Sequence, residues 1–382
     1  MLWRPGDHAP LTDREWDPSR AQDAIQTIVA DAERAYRGDE LWPAHESDAP
    51  DGNAALATLY IGAAGVVWAL DALRRRGRAE VGLDLERAAA RALSRCREEP
   101  DFVGENLPTP AESSLLCGEA GVLLVAYRLT PDAVRADRLF ELIVANARNE
   151  SNELSWGSPG TMLAARAMHA WTSEQRWLDA WTDSANELVA RREADGLWTQ
   201  HAFGRTLRML GPAHGAAGSQ LALLQGGLGD EGTAAALTRA AIVEDGLANW
   251  PREVGRDRED LRVQWCHGAP GIVISASSYL DDELLLAASE LVWRAGPMGD
   301  EKGACICHGT AGNGYAFLKT FERTQDERWL DRARRFAMHA LEQVEHRGSS
   351  RYTLFTGDLG VALYAADCLD ARAAYPVLDT SY

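Results

Sequence analysis

The pattern Gly-x-x-Gly punctuates the chain seven times, each copy directly before an apolar run. The copies are Gly62–Gly65, Gly118–Gly121, Gly157–Gly160, Gly215–Gly218, Gly268–Gly271, Gly309–Gly312 and Gly357–Gly360. Their first glycines lie 39 to 58 residues apart, about 49 on average, a period that marks stacked supersecondary units. The runs that follow include Val66-Val67-Trp68-Ala69-Leu70, Tyr315-Ala316-Phe317-Leu318 and Val361-Ala362-Leu363-Tyr364. Between turns lie segments rich in Ala, Leu, Arg and Glu, with apolar residues at i, i+3 and i+4. One phrase recurs within them, Arg176-Trp177-Leu178-Asp179 and Arg328-Trp329-Leu330-Asp331. Each unit therefore reads as an apolar inner helix starting at the glycine turn and a charged outer helix. Seven such hairpins closed on themselves give an all-α, seven-fold, double-layered (α/α)7 toroid. The glycines let the inner-helix N-termini crowd around the axis where a Cβ would obstruct.

Of 382 residues, 46% are hydrophobic, enough for a large core. Length alone would suggest two or three domains, but the repeat runs unbroken over residues 56–370, so residues 56–382 are expected to form one ring. Residues 1–55 carry no repeat and are read as an arm packed on it, with Trp3, Trp16, Trp42 and one helix around Ala21–Arg37. The apolar tail Ala373–Tyr382 is read as a strap closing the last repeat. The net charge of −18, from 57 acidic and 39 basic residues, argues against a nucleic-acid partner. The N-terminus has no signal-peptide core, and no apolar run approaches the ~20 residues that span a bilayer. Six cysteines are too few for a disulfide scaffold in a chain this long. A cytoplasmic protein with reduced thiols is expected.

Two of the turns carry chemistry. Cys266-His267 and Cys307-His308 head the fifth and sixth, and His214 precedes the fourth. Five metal-competent side chains would gather near the axis if the turns stack at one level. Thiol and imidazole are good zinc donors; four protein ligands make a closed structural site, and three leave a position open for catalysis. Cys305 would supply a further thiol.

Trp265-Cys266-His267-Gly268-Ala269-Pro270-Gly271, Cys307-His308-Gly309-Thr310-Ala311-Gly312-Asn313-Gly314 and Gly211-Pro212-Ala213-His214-Gly215 resemble the signature motifs of the lanthionine synthetase C-like family. The resemblance covers nearly the whole chain and implies a seven-fold α/α toroid around one zinc. It implies Cys266, Cys307 and His308 as ligands with the fourth position open, which argues against Cys305. Family members add a thiol to the β-carbon of dehydroalanine or dehydrobutyrine and form a thioether. The thiolate is the nucleophile, and a free thiol with a pKa near ~8.5 is mostly protonated at neutral pH. The motifs imply His214 as general acid or base and Arg262 as a stabiliser of the enolate, where the plain reading is a surface partner for Asp257 or Glu259. Glu153 stands where cyclases carry an acid, with helix capping as the plain alternative. His267 occupies a place where a lanthipeptide cyclase has tyrosine.

The eukaryote-like branch of the family uses glutathione, and His267 follows the zinc cysteine as in that branch. Lys302, five residues before Cys307, matches its glutathione-contacting lysine. Arg347 or Arg351 would supply a second contact, and Arg4 is a further candidate. The resemblance thus implies zinc-dependent addition of glutathione to dehydro-residues of proteins or peptides. A lanthipeptide cyclase forming intramolecular rings is the alternative within the family, and a non-catalytic glutathione-binding scaffold the alternative outside it. An α/α-toroid glycosidase working through Glu119 and Asp358 would leave both Cys-His pairs unexplained.

Overall fold

A computed structural model describes residues 1–49, 55–229, 231–256 and 261–379. After α1 (Pro18–Ala35), inner and outer helices alternate. The pairs are α2 (Ala63–Arg75) with α3 (Leu85–Glu98), α4 (Glu119–Leu129) with α5 (Ala133–Asn146), and α6 (Ser158–Thr172) with α7 (Gln175–Ala190). The hairpin β1 (Gln200–Ala202) and β2 (Arg205–Leu207) leads to α8 (Ala216–Leu224) and α9 (Glu231–Ala240). A second hairpin, β3 (Ile242–Glu244) and β4 (Leu247–Asn249), and a third, β5 (Val263–Gln264) and β6 (His267–Gly268), precede α10 (Ala269–Ala276) and α11 (Asp282–Ala295). The chain then makes α12 (Thr310–Thr324), α13 (Glu327–His346) and α14 (Asp358–Asp370). The architecture is the seven-fold α/α toroid.

The two layers differ in how their helices begin. Outer helices α1, α3, α5, α11 and α13 start at Asp17, Asp84, Asp132, Asp281 and Asp326, whose carboxylates accept from first-turn N–H groups, the usual way to satisfy those donors. Inner helices start at the repeated glycine with no side-chain cap. Carbonyls of the preceding loop cap most of them instead: Ala63 and Ala64 donate to Leu56 and Ala57, and Thr310 and Ala311 to Gly303 and Ala304. That loop lies so close that a Cβ on Gly62 or Gly309 would strike its backbone. Inner helices are buried on every face over their first two to three turns and emerge only towards their last turn, with half-buried Arg166 of α6 the exception, and outer helices expose their charged side.

The second glycine of each turn closes the ring. A Cβ on Gly65, Gly121, Gly160, Gly218, Gly271, Gly312 or Gly360 would meet the carbonyl of the residue three before the turn. It would also meet the side chain at that place in the preceding repeat: Leu59 for Gly121, Leu115 for Gly160, Leu154 for Gly218, Pro212 for Gly271 and Ile306 for Gly360. Gly65 meets Leu354 of the seventh repeat, so first and last units are neighbours. Backbone bonds link the same turns sideways, Tyr60 N–H to Leu116 O, Ser155 to Ala213, Cys266 to Cys307 and Cys307 to Phe355.

Two elements depart from seven identical hairpins. The outer partner of α14 is α1, from the far end of the chain, which packs along α14 and touches α13. It begins before Ala21 because Asp17 caps it and Pro18 suits its first position. The three hairpins sit in the loops around the fourth and fifth repeats, where sparse strand signals gave no expectation of sheet. Among the described residues no helix is long and apolar enough to cross a membrane.

Candidate functional site

The turns place two side chains per repeat, those two and one residues before the first glycine, at the N-terminal end of the inner layer. Six repeats contribute both or one of them to a chamber of about 320 Å³. Tyr60 comes from the first repeat, Cys117 and Trp156 from the next two, His214 from the fourth, and Cys266-His267 and Cys307-His308 from the fifth and sixth. The gathering of both Cys-His pairs with His214 follows directly from the shared register.

Cys266 and Cys307 are neighbours in the chamber: Cys266 N–H donates to Cys307 O at 3.3 Å, and their thiols interact. Interaction with the Cys307 thiol, together with the charge of His308, outweighs burial and brings Cys266 down to about 7. The same interaction and burial raise Cys307. Each sulfur has one further donor. Gln264 Nε2 donates to Cys266 Sγ at 2.8 Å, and the Tyr60 hydroxyl lies 3.0 Å from Cys307 Sγ. Burial, with the nearby thiols, raises Tyr60 well above the ordinary phenol range, so it stays protonated and is the donor.

His308 lines the chamber, and its imidazole interacts with the Cys305 thiol. The charge of Cys305 is the first cause of its raised pKa, opposed by burial. His267 is held neutral, with burial first and His214, Arg252 and Arg262 adding repulsion, so its pKa falls to about 3. Its buried Nδ1 has no hydrogen-bond partner. Among the described residues no three Cys, His, Asp or Glu side chains already form a metal-holding group. Yet two neighbouring thiols beside a histidine, with a neutral imidazole next to them, are a donor set that suits zinc. The residues fit the ion that the sequence motifs imply, provided His308 exchanges Cys305 for it.

His214 Nδ1 is 2.9 Å from Glu153 Oε2. Glu153 is 1% exposed and also accepts from the backbone N–H of Ser155 at 2.9 Å and Trp156 at 2.6 Å. Both expectations for it therefore meet in one carboxylate, which caps its turn and orients the histidine. Burial alone would lower the His214 pKa, but the charge and hydrogen bond of Glu153 prevail and raise it. With Nδ1 engaged, Nε2 is the nitrogen left for the chamber.

The other candidates lie apart. Arg262 precedes β5 and is half-buried; its charge reaches His267, and Asp257 and Glu259 lie outside the described residues. Lys302, Arg347 and Arg351 line a second cavity of about 630 Å³, which Cys305 also borders. The Cys305–His308 contact thus joins the two spaces. Arg351 Nε donates to Asp48 at 2.6 Å, Arg347 pairs with Asp358, and Lys302 lies 3.8 Å from exposed Glu301. Arg4 is on the exposed side of the N-terminal segment. Glu119 is bound to Arg97 and Arg138 at 2.6 and 3.1 Å; with Asp358 held by Arg347, neither carboxylate faces the chamber.

Of the residues at or beside the chamber that escaped the sequence reading, three bear on its chemistry. Tyr60 stands in the first turn where the cysteines stand in the fifth and sixth, so aligning the turns would have found it. Gln264 corresponds to Glu153 in the same way. Phe203 had no such signal. It sits at the β1–β2 tip with a left-handed φ of +55°, half-exposed, with its ring edge-on to Trp156 and His214 at 6.1 Å from each.

Known proteins give the same picture. Nisin cyclase superposes with a TM-score of 0.61 over 92% of this chain and 94% of its own, at 16% identity, a likeness of fold. Glutathione S-transferase LANCL1 of Danio rerio is 28% identical over 324 residues, covering 73% of this chain and 77% of the relative. LanC-like protein GCL1 of Arabidopsis thaliana is 33% identical over 174 residues, 40% of this chain and 39% of the relative. A family model described as lanthionine synthetase C-like protein matches residues 54–379. The chain belongs to the lanthionine synthetase C-like family.

Proposed function

We propose that this protein catalyses zinc-dependent addition of a thiol, with glutathione as the donor, to dehydroalanine or dehydrobutyrine residues of proteins or peptides. The observation that carries this reading is the adjacent Cys266 and Cys307 sharing one chamber with the Glu153–His214 dyad. Cys266, Cys307 and His308 would hold the zinc, whose charge favours the thiolate form of an incoming thiol. The donor's S–H proton leaves to His214 Nε2. Its sulfur forms a bond to the acceptor β-carbon, and the C=C pair moves onto the carbonyl as an enolate. The enolate collapses as the α-carbon takes a proton back from His214. A histidine raised above its ordinary value is suited to both transfers near neutral pH. Tyr60 and Gln264 donate to the two sulfurs and so temper their basicity.

Lys302, Arg347 and Arg351 of the second cavity, beside the chamber at Cys305, would contact the carboxylates of a small thiol such as glutathione by exchanging their present partners Glu301, Asp358 and Asp48. The Danio rerio relative, a glutathione S-transferase, supports glutathione over a peptide cysteine. Six free cysteines accord with a reducing, cytoplasmic setting. The test is mass spectrometry of the zinc-quantified protein with glutathione and a dehydroalanine peptide. An adduct of glutathione mass that is lost in Cys307→Ala is the expected result. Absence of any adduct with one zinc bound per chain would reject the transferase reading.

A further inference from the structure

The tail beyond α14 does more than close the last repeat. It turns at Ala371, whose φ is +51°, and enters the ring from the end opposite the chamber. There Val377, Leu378 and Asp379 line a cavity with Trp68 from the middle of α2 and Arg128 and Trp171 from the far ends of α4 and α6. A turn fixes the tail: Tyr375 N–H donates to Asp379 at 3.0 Å, Asp379 N–H to Tyr375 O at 3.1 Å, and Lys319 pairs with the Asp379 carboxylate at 3.1 Å.

Tyr375 projects from this turn into the middle of the ring and is wholly buried. Its hydroxyl donates to Ile306 O at 2.9 Å. Its ring stacks on Trp265, with centroids 5.0 Å apart and planes 17° from parallel. Ile306 immediately precedes Cys307, and Trp265 immediately precedes Cys266. Phe355, whose carbonyl accepts from Cys307 N–H, touches the same ring at 6.4 Å. One side chain from the chain's end thus holds the segments behind both cysteines from below.

We propose that Tyr375 is a positioning residue that sets the two cysteine-bearing turns in mutual register. Its hydroxyl fixes the height of the Cys307 turn and its ring that of the Cys266 turn. This deepens the reading of Cys266, Cys307 and His308 as ligands. Outer contacts of this kind typically change metal affinity ~10–100-fold when removed.

The test compares Tyr375→Phe with Tyr364→Phe. Tyr364 is equally buried, and its hydroxyl makes an equivalent bond to Ala333 O at 2.6 Å, away from the cysteine turns. Both variants lose one buried hydroxyl bond, so both are expected to melt slightly earlier. Only Tyr375→Phe is expected to weaken zinc binding, by ~10-fold or more, and to change the rate at which the zinc-free protein's chamber thiols react with a disulfide reagent. Asp379→Asn, which loosens the turn beneath Tyr375, is expected to act in the same direction and stands in if Tyr375→Phe does not fold. Equal zinc affinity and equal thiol reactivity in the two tyrosine variants would overturn the proposal. A parent protein that binds no zinc would reject the ligand reading instead, and the thiol rates would still decide the role of Tyr375.

Discussion

Replacing Glu153 by glutamine isolates what the carboxylate does for His214. In the parent, a buried charge 2.9 Å from Nδ1 outweighs burial and raises the imidazole above 6.5. An opposite charge at such range favours the protonated ring, and because the ring is 31% exposed solvent screens part of the effect without reversing its direction. Without the charge, burial decides, and the midpoint is expected to fall below 6.5. The stability consequence has a definite sign. A raised imidazole contributes stability that is full below the unfolded value of about 6.5 and fades as pH rises through the folded one. In Glu153→Gln that contribution disappears, so the variant loses most against the parent on the acid side. Glutamine also cannot accept from Ser155, Trp156 and His214 together, which adds a loss of about 1–3 kcal/mol with no slope in pH. Titration of the histidine ring signals by NMR, paired with urea unfolding across pH, separates the two. A His214 midpoint that stays put in the variant would refute the charge argument and leave Glu153 a turn cap alone.

Tyr60→Phe removes the donor to Cys307 Sγ; a hydrogen bond to a charged sulfur is worth about 1.5–3 kcal/mol, so Cys307 should ionise less readily, measured by alkylation rate against pH in the zinc-free protein. Cys307→Ala should lower bound zinc, measured by metal analysis, and chelation of the parent should lower its melting temperature, because an ion bound only by the folded state stabilises it. Gly312→Ala puts a Cβ against Ile306 O and should cost about 1–3 kcal/mol or more by urea denaturation. Asp367, buried beside Arg76 and Tyr315, is raised by burial to about 6. Such a raised carboxyl favours the folded state as pH falls from about 6 towards 4, and Asp367→Asn should remove that slope.

How much was legible depended on whether a feature is local. The glycine turns are local: each needs space against its own loop and the next repeat, so the requirement is written at every copy and the ring could be counted. The Cys-His pairs were legible for the same reason. The partner of α14 was not, because nothing in the periodicity of residues 18–35 states which helix more than three hundred residues away they cover. The hairpins and Phe203 lie in loops with no repeated pattern. Cys305 was set aside as a ligand on the motif, and its interaction with His308 depends on side-chain rotation, which spacing does not encode.

The register also explains why the chemistry can vary on a fixed frame. Residues three before each glycine, Leu59, Leu115, Leu154, Pro212, Trp265, Ile306 and Leu354, are apolar, and most pack against the next turn. Residues two and one before it run through Tyr, Leu, Ser, Ala, Cys and Phe at one place and Ile, Cys, Trp, His and Thr at the other, and all of them but Ile61, Phe355 and Thr356 line the chamber. Packing therefore constrains one position per repeat and leaves the adjacent two free to carry function. If that division holds, Leu116→Ala, as buried as Leu115 but bordering the chamber, leaves a gap continuous with that space and should alter reaction with small thiols more than stability. Leu115→Ala, one residue earlier and wholly buried, should cost about 2–5 kcal/mol wherever activity survives. Equal destabilisation by the two, measured by urea unfolding, would show that the chamber wall is also core and that the frame and the site are not separable.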